Sequence, residues 1–192
     1  MTTTNDVLAA IHARRSTGHL RDDPVAPEAI LDVLRAAQAA PNHHLTAPWR
    51  FIVLTGAARR ALGEAHADAI SRPDPGISVT AREREVARPE RAPVVIVVVC
   101  AVDATDPVVA REDRDGAAAA TQNALLAAES LGLGAIWRTG PMADEVDVRD
   151  HLGIAHDEVI VAFVYVGVPE SRPVPRERPE PVVEWRGVDA AF

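Results

Sequence analysis

Apolar residues recur every three or four positions in four segments of the chain, residues 2–15, 26–40, 58–70 and 111–131. That period is typical of amphipathic helices, so the pattern predicts four of them. Pro27 suits the first turn of the second helix. The fourth segment is alanine-rich and apolar on nearly all sides, which predicts a central helix packed against more than one element.

Three shorter runs, residues 50–55, 92–102 and 158–168, are apolar and rich in β-branched side chains. This composition predicts β-strands. The second and third runs are apolar without alternation, which favours strands buried on both faces.

Two regions show neither the helical period nor an apolar run typical of a strand. Residues 71–93 are rich in Arg, Glu, Pro and Asp, which predicts a lid or a mobile excursion. Residues 170–192 are rich in proline, which excludes regular structure along their length and predicts an extended C-terminal arm. We find no repeat and no linker, so residues 1–192 are expected to form a single domain.

The charge balance narrows the choice of partners. The 192 residues carry a formal net charge of −8, which disfavours nucleic acid and anionic membranes as general partners but permits a local basic pocket. All 20 basic residues are arginine. A phosphate site would therefore need arginine forks, hydroxyl groups or backbone N–H groups.

The single cysteine excludes an internal disulfide, and a reducing cytoplasm is the expected location. The N-terminal residues lack the apolar run of a secretory signal. The most apolar stretch, residues 92–102, is too short to span a bilayer. We therefore expect a soluble cytoplasmic protein.

The sequence PNHHLTAPW contains two adjacent histidines, His43 and His44. Neighbouring side chains on a helix or strand point in different directions. His66 is the nearest other histidine after them, and no Cys or His recurs at zinc-ligand spacing, so we predict no metal site. Cys100 lies inside an apolar run and is expected to be a core residue, and Ser16 lacks the G-x-S-x-G context of a hydrolase nucleophile. Neither G-x-G-x-x-G nor a Walker sequence is present.

Two further stretches have candidate chemistry. The ARRS sequence of residues 13–16 ends the first helix and could grip a phosphate, or its arginines could instead complement the helix C-terminal dipole. The GLGAIWRTG sequence of residues 132–140 could be a loop whose backbone approaches a flat ligand. It could equally be a helix C-cap that leads into a short strand.

Four motifs in order, in residues 14–16 (RRS), 40–49 (APNHHLTAPW), 121–137 and 151–170, resemble the nitroreductase family of FMN-dependent oxidoreductases. The resemblance covers residues 6–169. The Pro-x-His form of the second motif and the IWRTG sequence are especially similar to the small single-domain bacterial subgroup of that family.

The resemblance implies an α+β fold with a central mixed sheet flanked by helices, assembled as an intertwined homodimer with FMN at the interface. The proline-rich arm would then reach over the partner. It also implies that NADH or NADPH delivers hydride to flavin N5, and that a nitroaromatic or quinone then accepts it. Two alternatives stay open: another flavin enzyme on the same fold, such as a dehalogenase, an enoate-type reductase or a flavin-fragmenting enzyme, or a non-enzymatic FMN-binding redox sensor.

The resemblance also implies the site residues, and it assigns no side chain as an obligatory catalytic acid or base. The residues matching FMN contacts are Arg14, Arg15, Ser16, Ala39, His43, Trp137, Arg138 and Thr139. A weaker match, to a segment that meets the nicotinamide donor, comprises Ala127, Ala128, Glu129, Ser130, Leu131 and Gly132.

Two positions depart from the family pattern. Gly18 stands where many members have a basic residue near the flavin pyrimidine ring, and Ala47 stands where many have Gln. Loss of a nearby positive charge should make the flavin harder to reduce. Another arginine could replace that charge, although the sequence does not identify which one.

Overall fold

The computed structural model describes residues 6–74, 76–171, 174 and 177–187. Five strands form one sheet in which β3 is flanked by β2 and β5, and β5 also pairs with β4 and, at its C-terminal end, with β1. All four pairings are antiparallel, and the parallel component within the described residues is an isolated bridge between Ser16 and Ala135. The strands are β1 (Leu20–Arg21), β2 (Trp49–Thr55), β3 (Val94–Ala101), β4 (Gly134–Arg138) and β5 (Glu158–Pro169).

Helices cover both faces of the sheet. The described residues contain α1 (Asp6–Ala13), α2 (Pro27–Gln38), α3 (Ala57–Ser71), α4 (Val79–Val86), α5 (Pro107–Ser130) and α6 (Val146–Leu152). Short 3₁₀ turns occur at His43–Leu45, Arg88–Arg91 and Pro141–Ala143. The predicted α+β class is therefore confirmed.

Strand β3 is the centre of two separate cores, because its successive side chains alternate between the two faces. Both faces are apolar since helices cover both of them. One core contains residues of α2 and α5, and the other contains residues of α3 and α6. On β3, the first core takes Val94, Ile96, Val98 and Cys100, and the second takes Val95, Val97 and Val99.

Helix α5 is the longest in the described chain and begins four residues before the predicted start. The Asp106 side chain accepts hydrogen bonds from the backbone N–H groups of Val108 and Val109, which caps the helix. The alanine-rich part packs on α2 and on the sheet, as its apolar circumference predicted. Among the described residues no helix combines the length and apolar character that a bilayer crossing requires.

Residues 71–93, predicted as a lid or a mobile excursion, contain regular structure in their described part, and a lid role stays a prediction. Residues 79–91 form α4 and a 3₁₀ turn, and α4 packs against α3. Val86 is buried although half of the residues of the helix are charged. The apolar face of this short helix is narrow, so the sequence shows no helical period among the many charged residues. The other ambiguous stretch, residues 132–140, contains the helix end and strand β4, so its short-strand interpretation is the correct one.

Gly63 sets the distance between α3 and α4. A Cβ atom at this position would lie 1.9 Å from the carbonyl oxygen of Val86. That oxygen belongs to the backbone, so the two helices would have to separate.

We expect Gly63→Ala to lower the free energy of unfolding by about 3 kcal/mol or more in urea denaturation. On helix propensity alone the substitution would stabilise α3 by about 0.5–1 kcal/mol, so the sign of the change is informative. Gly18→Ala is the matched control, because its Cβ would meet nothing closer than 3.8 Å. A Gly63→Ala protein as stable as wild type would contradict this contact between α3 and α4.

Candidate functional site

Two motifs that are far apart in the sequence meet at β4. The segment that follows α1 runs beside β4, with the parallel bridge between Ser16 and Ala135. The Thr17 N–H donates to the Ala135 carbonyl at 3.0 Å. Gly134 allows this approach, since a Cβ atom there would lie 3.1 Å from Thr17 Cγ2 and 2.7 Å from Leu20 Cδ2. The structure therefore places the RRS motif against the GAIWR strand.

Arg14 has the features of an anion-binding residue. Its Nη1 atom is buried and has no hydrogen-bond partner in the described part of the chain. Burial lowers the pKa of the Arg14 guanidinium, and the positive charge of Arg178 lowers it further. The negative charge of Glu129 raises this pKa and partly offsets both effects. The group stays charged at neutral pH. A buried charged donor without a partner is costly unless a ligand supplies the acceptor.

The C-terminal arm adds a second cation to this site. Arg178 Nη2 donates to the backbone carbonyl of Arg14 at 3.1 Å. Ser16 is exposed beside these two arginines, so its hydroxyl is available to a ligand. Two guanidinium groups and a hydroxyl are suited to a phosphate group, for which arginine forks are a common receptor.

Arg15 caps the end of α1 in this structure, and its predicted contact with FMN stays a prediction. Its Nη1 atom lies 2.6 Å from the His12 carbonyl oxygen, 3.2 Å from that of Ala13 and 2.9 Å from that of Arg14. These are the carbonyls at the end of α1, which a cation commonly satisfies. Arg15 thus supports the helix-end interpretation of the ARRS motif, while the Nη1 of Arg14, unpaired within the described residues, supports the phosphate interpretation.

Arg138 lies beside the position where the expected basic residue is missing. Its Nη2 atom is 3.8 Å from the point that a Cβ of Gly18 would occupy. Arg138 is exposed at the end of β4, and Thr139 follows it directly. An arginine on a different strand therefore brings positive charge to the region of Gly18.

A cavity of about 440 Å³ adjoins Gly18, Arg138 and Thr139. Its apolar wall includes Leu20, Ile70, Ile136, Met142 and Phe163. Its polar wall includes Arg88, Arg91, Tyr165, His66, Glu85 and Glu145. Burial raises the pKa of the Tyr165 hydroxyl, and the nearby Arg88, Arg138 and Arg91 partly oppose that rise. The volume and the mixed lining suit a flat aromatic ligand with polar substituents.

Sequence reasoning missed the polar cluster in this cavity. His66 Nδ1 lies 2.6 Å from Glu145 Oε2, and His66 Nε2 lies 3.5 Å from Glu85 Oε2. These residues come from α3, α4 and the turn before α6, so no local motif joins them. The available signal was the position of His66 four residues after Leu62, which placed it on the buried face of α3.

His43 and Ala39 lie far from the RRS motif in the chain. His43 Nε2 and His44 Nε2 lie 3.6 and 3.7 Å from the two carboxylate oxygens of Glu112, near the start of α5. Ala39, at the end of α2, is exposed in the same region. Glu129, the α5 residue near Arg14, is 17 residues further along the helix, which at 1.5 Å per residue is about 25 Å. One chain therefore holds two separate groups of predicted site residues.

The His43 loop has an unusual backbone. His44, Leu45 and Ala47 have φ angles of 58°, 56° and 46°, a left-handed conformation that non-glycine residues adopt infrequently. The rings of His43 and His44 nevertheless lie edge to face, with centroids 5.4 Å apart, and both Nε2 atoms face Glu112. Among the described residues no three His, Cys, Asp or Glu side chains are placed to hold one metal ion.

The segment matched to the nicotinamide donor is only partly accessible. It forms the end of α5, the helix cap and Gly132, whose φ is 74°. Ala128 is fully buried and cannot contact a ligand through its side chain. Ser130, Leu131 and Gly132 are exposed. Trp137, which follows on β4, is half-buried against the first core.

Cys100 is a core residue, as expected. It is completely buried in β3, and burial raises the pKa of its thiol to about 12. The thiol is therefore protonated at neutral pH and is not a nucleophile.

The sequence is similar to a known protein family and to known proteins over most of its length. The model of the family described as "Nitroreductase family" matches residues 11–168. The chain is 32% identical over 170 residues to the putative NAD(P)H nitroreductase YdjA of Escherichia coli K12, covering 87% of this chain and 90% of that protein. It is 29% identical over 170 residues to the putative NAD(P)H nitroreductase YfhC of Bacillus subtilis, covering 88% and 87%.

Solved structures share the fold. A nitroreductase-like family protein from Bacillus cereus superposes with a TM-score of 0.81 at 24% identity, covering 96% of this chain and all of that one. A putative nitroreductase from Desulfovibrio desulfuricans, determined in complex with FMN, superposes with a TM-score of 0.71 at 29% identity, covering 92% and 94%.

Proposed function

The chain belongs to the nitroreductase family, and we propose that it is an FMN-dependent oxidoreductase that passes hydride from NADH or NADPH to nitroaromatic or quinone acceptors. The family resemblance carried by its motifs is thereby confirmed. The observation that carries the proposed function is the buried Nη1 of Arg14, which has no partner among the described residues and lies where the motifs require a phosphate receptor.

In this proposal Arg14, Ser16 and Arg178 bind the phosphate of FMN. These residues supply two positive charges and a hydroxyl, which fit a dianion. Arg15 acts indirectly by holding the end of α1, from which the backbone of Arg14 and Ser16 continues. The D. desulfuricans structure, which contains FMN, supports the choice of cofactor.

The flavin ring would extend from this phosphate site along β4 towards Thr139 and the cavity. Arg138 then supplies the positive charge that the family pattern has at the position of Gly18. Bound FMN supplies the hydride chemistry, and the protein positions both reactants and excludes water. The apolar wall of the cavity would stack against an aromatic acceptor or the nicotinamide ring.

The site requires two chains in this proposal. His43 lies beside Glu112, about 25 Å along α5 from Glu129, beyond the reach of a flavin held at Arg14 of the same chain. It would therefore complete the site of a second subunit. The exposed apolar face of α1, formed by Val7, Leu8 and Ile11, is suited to a subunit interface.

The absorbance spectrum of the purified protein, followed by an acceptor assay, tests the proposed function. We expect a yellow protein that releases FMN on denaturation and oxidises NADH or NADPH steadily when a quinone or nitroaromatic is present. Bound FMN without nicotinamide oxidation would favour the redox sensor. Turnover confined to a halogenated or enoate substrate would favour another flavin enzyme. A protein without flavin affinity would contradict the proposal.

Arg14→Ala should weaken FMN binding. The substitution removes a charge-assisted contact worth about 1.5–3 kcal/mol, which corresponds to roughly a tenfold to hundredfold rise in Kd by fluorescence titration. Arg35→Ala is the matched control, because Arg35 is an exposed arginine on α2 that pairs with Asp32. Equal affinity of wild type and Arg14→Ala would show that Arg14 serves the fold alone.

The two histidines provide an internal comparison. We expect His43→Ala to weaken FMN affinity or shift the flavin potential, because the family pattern assigns the flavin contact to His43. His44→Ala is the matched control, because both rings are similarly exposed and similarly close to Glu112, and we expect it to have the smaller effect because the family pattern assigns no flavin contact to His44. Equal effects, or a larger effect of His44→Ala, would contradict the assignment of His43.

Truncation after Pro169 should reduce dimerisation and FMN occupancy together. The truncation removes Arg178, which contacts Arg14, and the exposed Val182, Val183 and Trp185, which a solvated tail has little reason to carry. Val188 and Phe192, part of the same predicted arm, lie outside the described residues. Size-exclusion chromatography and the flavin-to-protein ratio measure the two effects. A truncated protein that stays dimeric and keeps its full flavin content would refute the role of the arm.

A further inference from the structure

We propose that His66 donates the proton that accompanies hydride transfer to the acceptor, with Glu145 as the residue that positions its ring. This inference rests on the proposed function and adds to it a residue that neither the sequence motifs nor the family resemblance indicates. The observation behind it is the cluster of His66, Glu85 and Glu145 in the cavity wall. The proposed FMN contacts do not involve these three residues.

The geometry of His66 resembles a histidine–carboxylate pair. His66 and Glu145 are both buried or nearly so, and their side chains meet at 2.6 Å between Nδ1 and Oε2. The Nδ1–H group donates to that carboxylate, which fixes the ring orientation. Nε2 therefore carries the transferable proton.

Glu85 does not compete strongly for that proton. Its Oε2 atom lies 3.5 Å from His66 Nε2, which is too long for a strong hydrogen bond. The Glu85 carboxylate is already paired with Arg88 at 2.7 Å and lies 3.5 Å from Arg84 Nε. Glu145 therefore makes the one hydrogen bond to the imidazole within the described residues, whereas Glu85 Oε2, buried and without a hydrogen-bond partner there, lies near Nε2 without bonding to it.

The cavity brings this pair to the acceptor. His66, Glu85 and Glu145 line the same cavity of about 440 Å³ as Arg138 and Thr139, where the proposed function locates the reacting edge of the flavin. The charged and titratable groups that face this space from other elements are Arg88, Arg91, Arg138 and Tyr165. Arg88, Arg91 and Arg138 are permanent cations, and burial raises the pKa of the Tyr165 hydroxyl, so His66 is the group in this wall that we assign as the proton donor.

The chemistry of the acceptor requires such a donor. A quinone that takes up one hydride also needs one proton to become a hydroquinone. In the proposed step the Nε2–H bond breaks, an O–H bond forms on the acceptor, and the imidazole becomes neutral. Solvent then returns a proton to Nε2. Proton transfer by a positioned side chain typically accelerates such a reaction by about 10²–10⁴-fold.

The test separates proton transfer from electron transfer. Protein loaded with FMN and reduced by NADH is mixed in a stopped-flow instrument with menadione, which needs hydride and proton, or with ferricyanide, which takes electrons alone. We expect His66→Gln to slow reoxidation by menadione at least ~10-fold, with unchanged reoxidation by ferricyanide and unchanged reduction by NADH. Glu145→Gln should slow the menadione reaction less, also without an effect on ferricyanide. His156→Gln, which changes a fully exposed histidine, is the matched control.

Three results would overturn the inference. A His66→Gln protein that reacts with menadione at the wild-type rate would show that His66 donates no proton. Equal slowing with both acceptors would assign His66 a structural role. If His66→Gln fails to fold or to bind FMN, a Glu145→Gln protein with wild-type menadione kinetics would refute the pair. A wild-type protein without flavin or without quinone turnover would instead overturn the proposed function itself.

Discussion

The proposed site depends on one backbone contact, the pairing of the segment after α1 with strand β4 through Ser16 and Ala135. This contact brings a phosphate-type motif near the N-terminus beside the strand that leads to Arg138 and Thr139. Gly134 makes the approach possible because it has no Cβ to meet Thr17 and Leu20. Without that contact, the cations at Arg14 and the cavity beside Arg138 would be unrelated features of the surface.

Helix α5 imposes the second constraint. Its 24 residues form a continuous rod of about 36 Å that separates the His43 loop from the phosphate site. A rod of this length does not bend to bring the two groups together. We therefore propose that two chains contribute to each flavin site. The same arrangement gives a reason for the exposed apolar face of α1 and for the apolar residues of the arm.

The sequence was most informative where a pattern was long or chemically specific. The apolar circumference of α5 predicted a central helix, and the uninterrupted apolar run of β3 predicted a central strand. An element that is buried on several sides must have apolar residues on all of those sides. The motifs predicted Arg14, Ser16, Arg138 and Thr139 as members of one site. The structure brings these residues to adjoining segments, although their contacts with FMN stay predictions.

Contacts between residues that lie far apart in the chain could not be predicted from the sequence. No local pattern distinguishes Arg14 from Arg15, because the division between ligand site and helix end depends on where each side chain points. Arg138 could not be recognised as the neighbour of Gly18, since they lie on separate elements 120 residues apart. The His66–Glu145 pair and the packing of α4 likewise arise from tertiary contacts alone.

The most direct test of the two-chain site is a mixed dimer of Arg14→Ala and His43→Ala subunits, purified with two different tags and titrated with limiting FMN. One site of this dimer combines the intact Arg14 of one subunit with the intact His43 of the other, while the second site lacks both. The account predicts that one of the two sites recovers wild-type affinity, although neither variant homodimer has such a site. A mixed dimer whose two sites are as weak as those of the variant homodimers would contradict it.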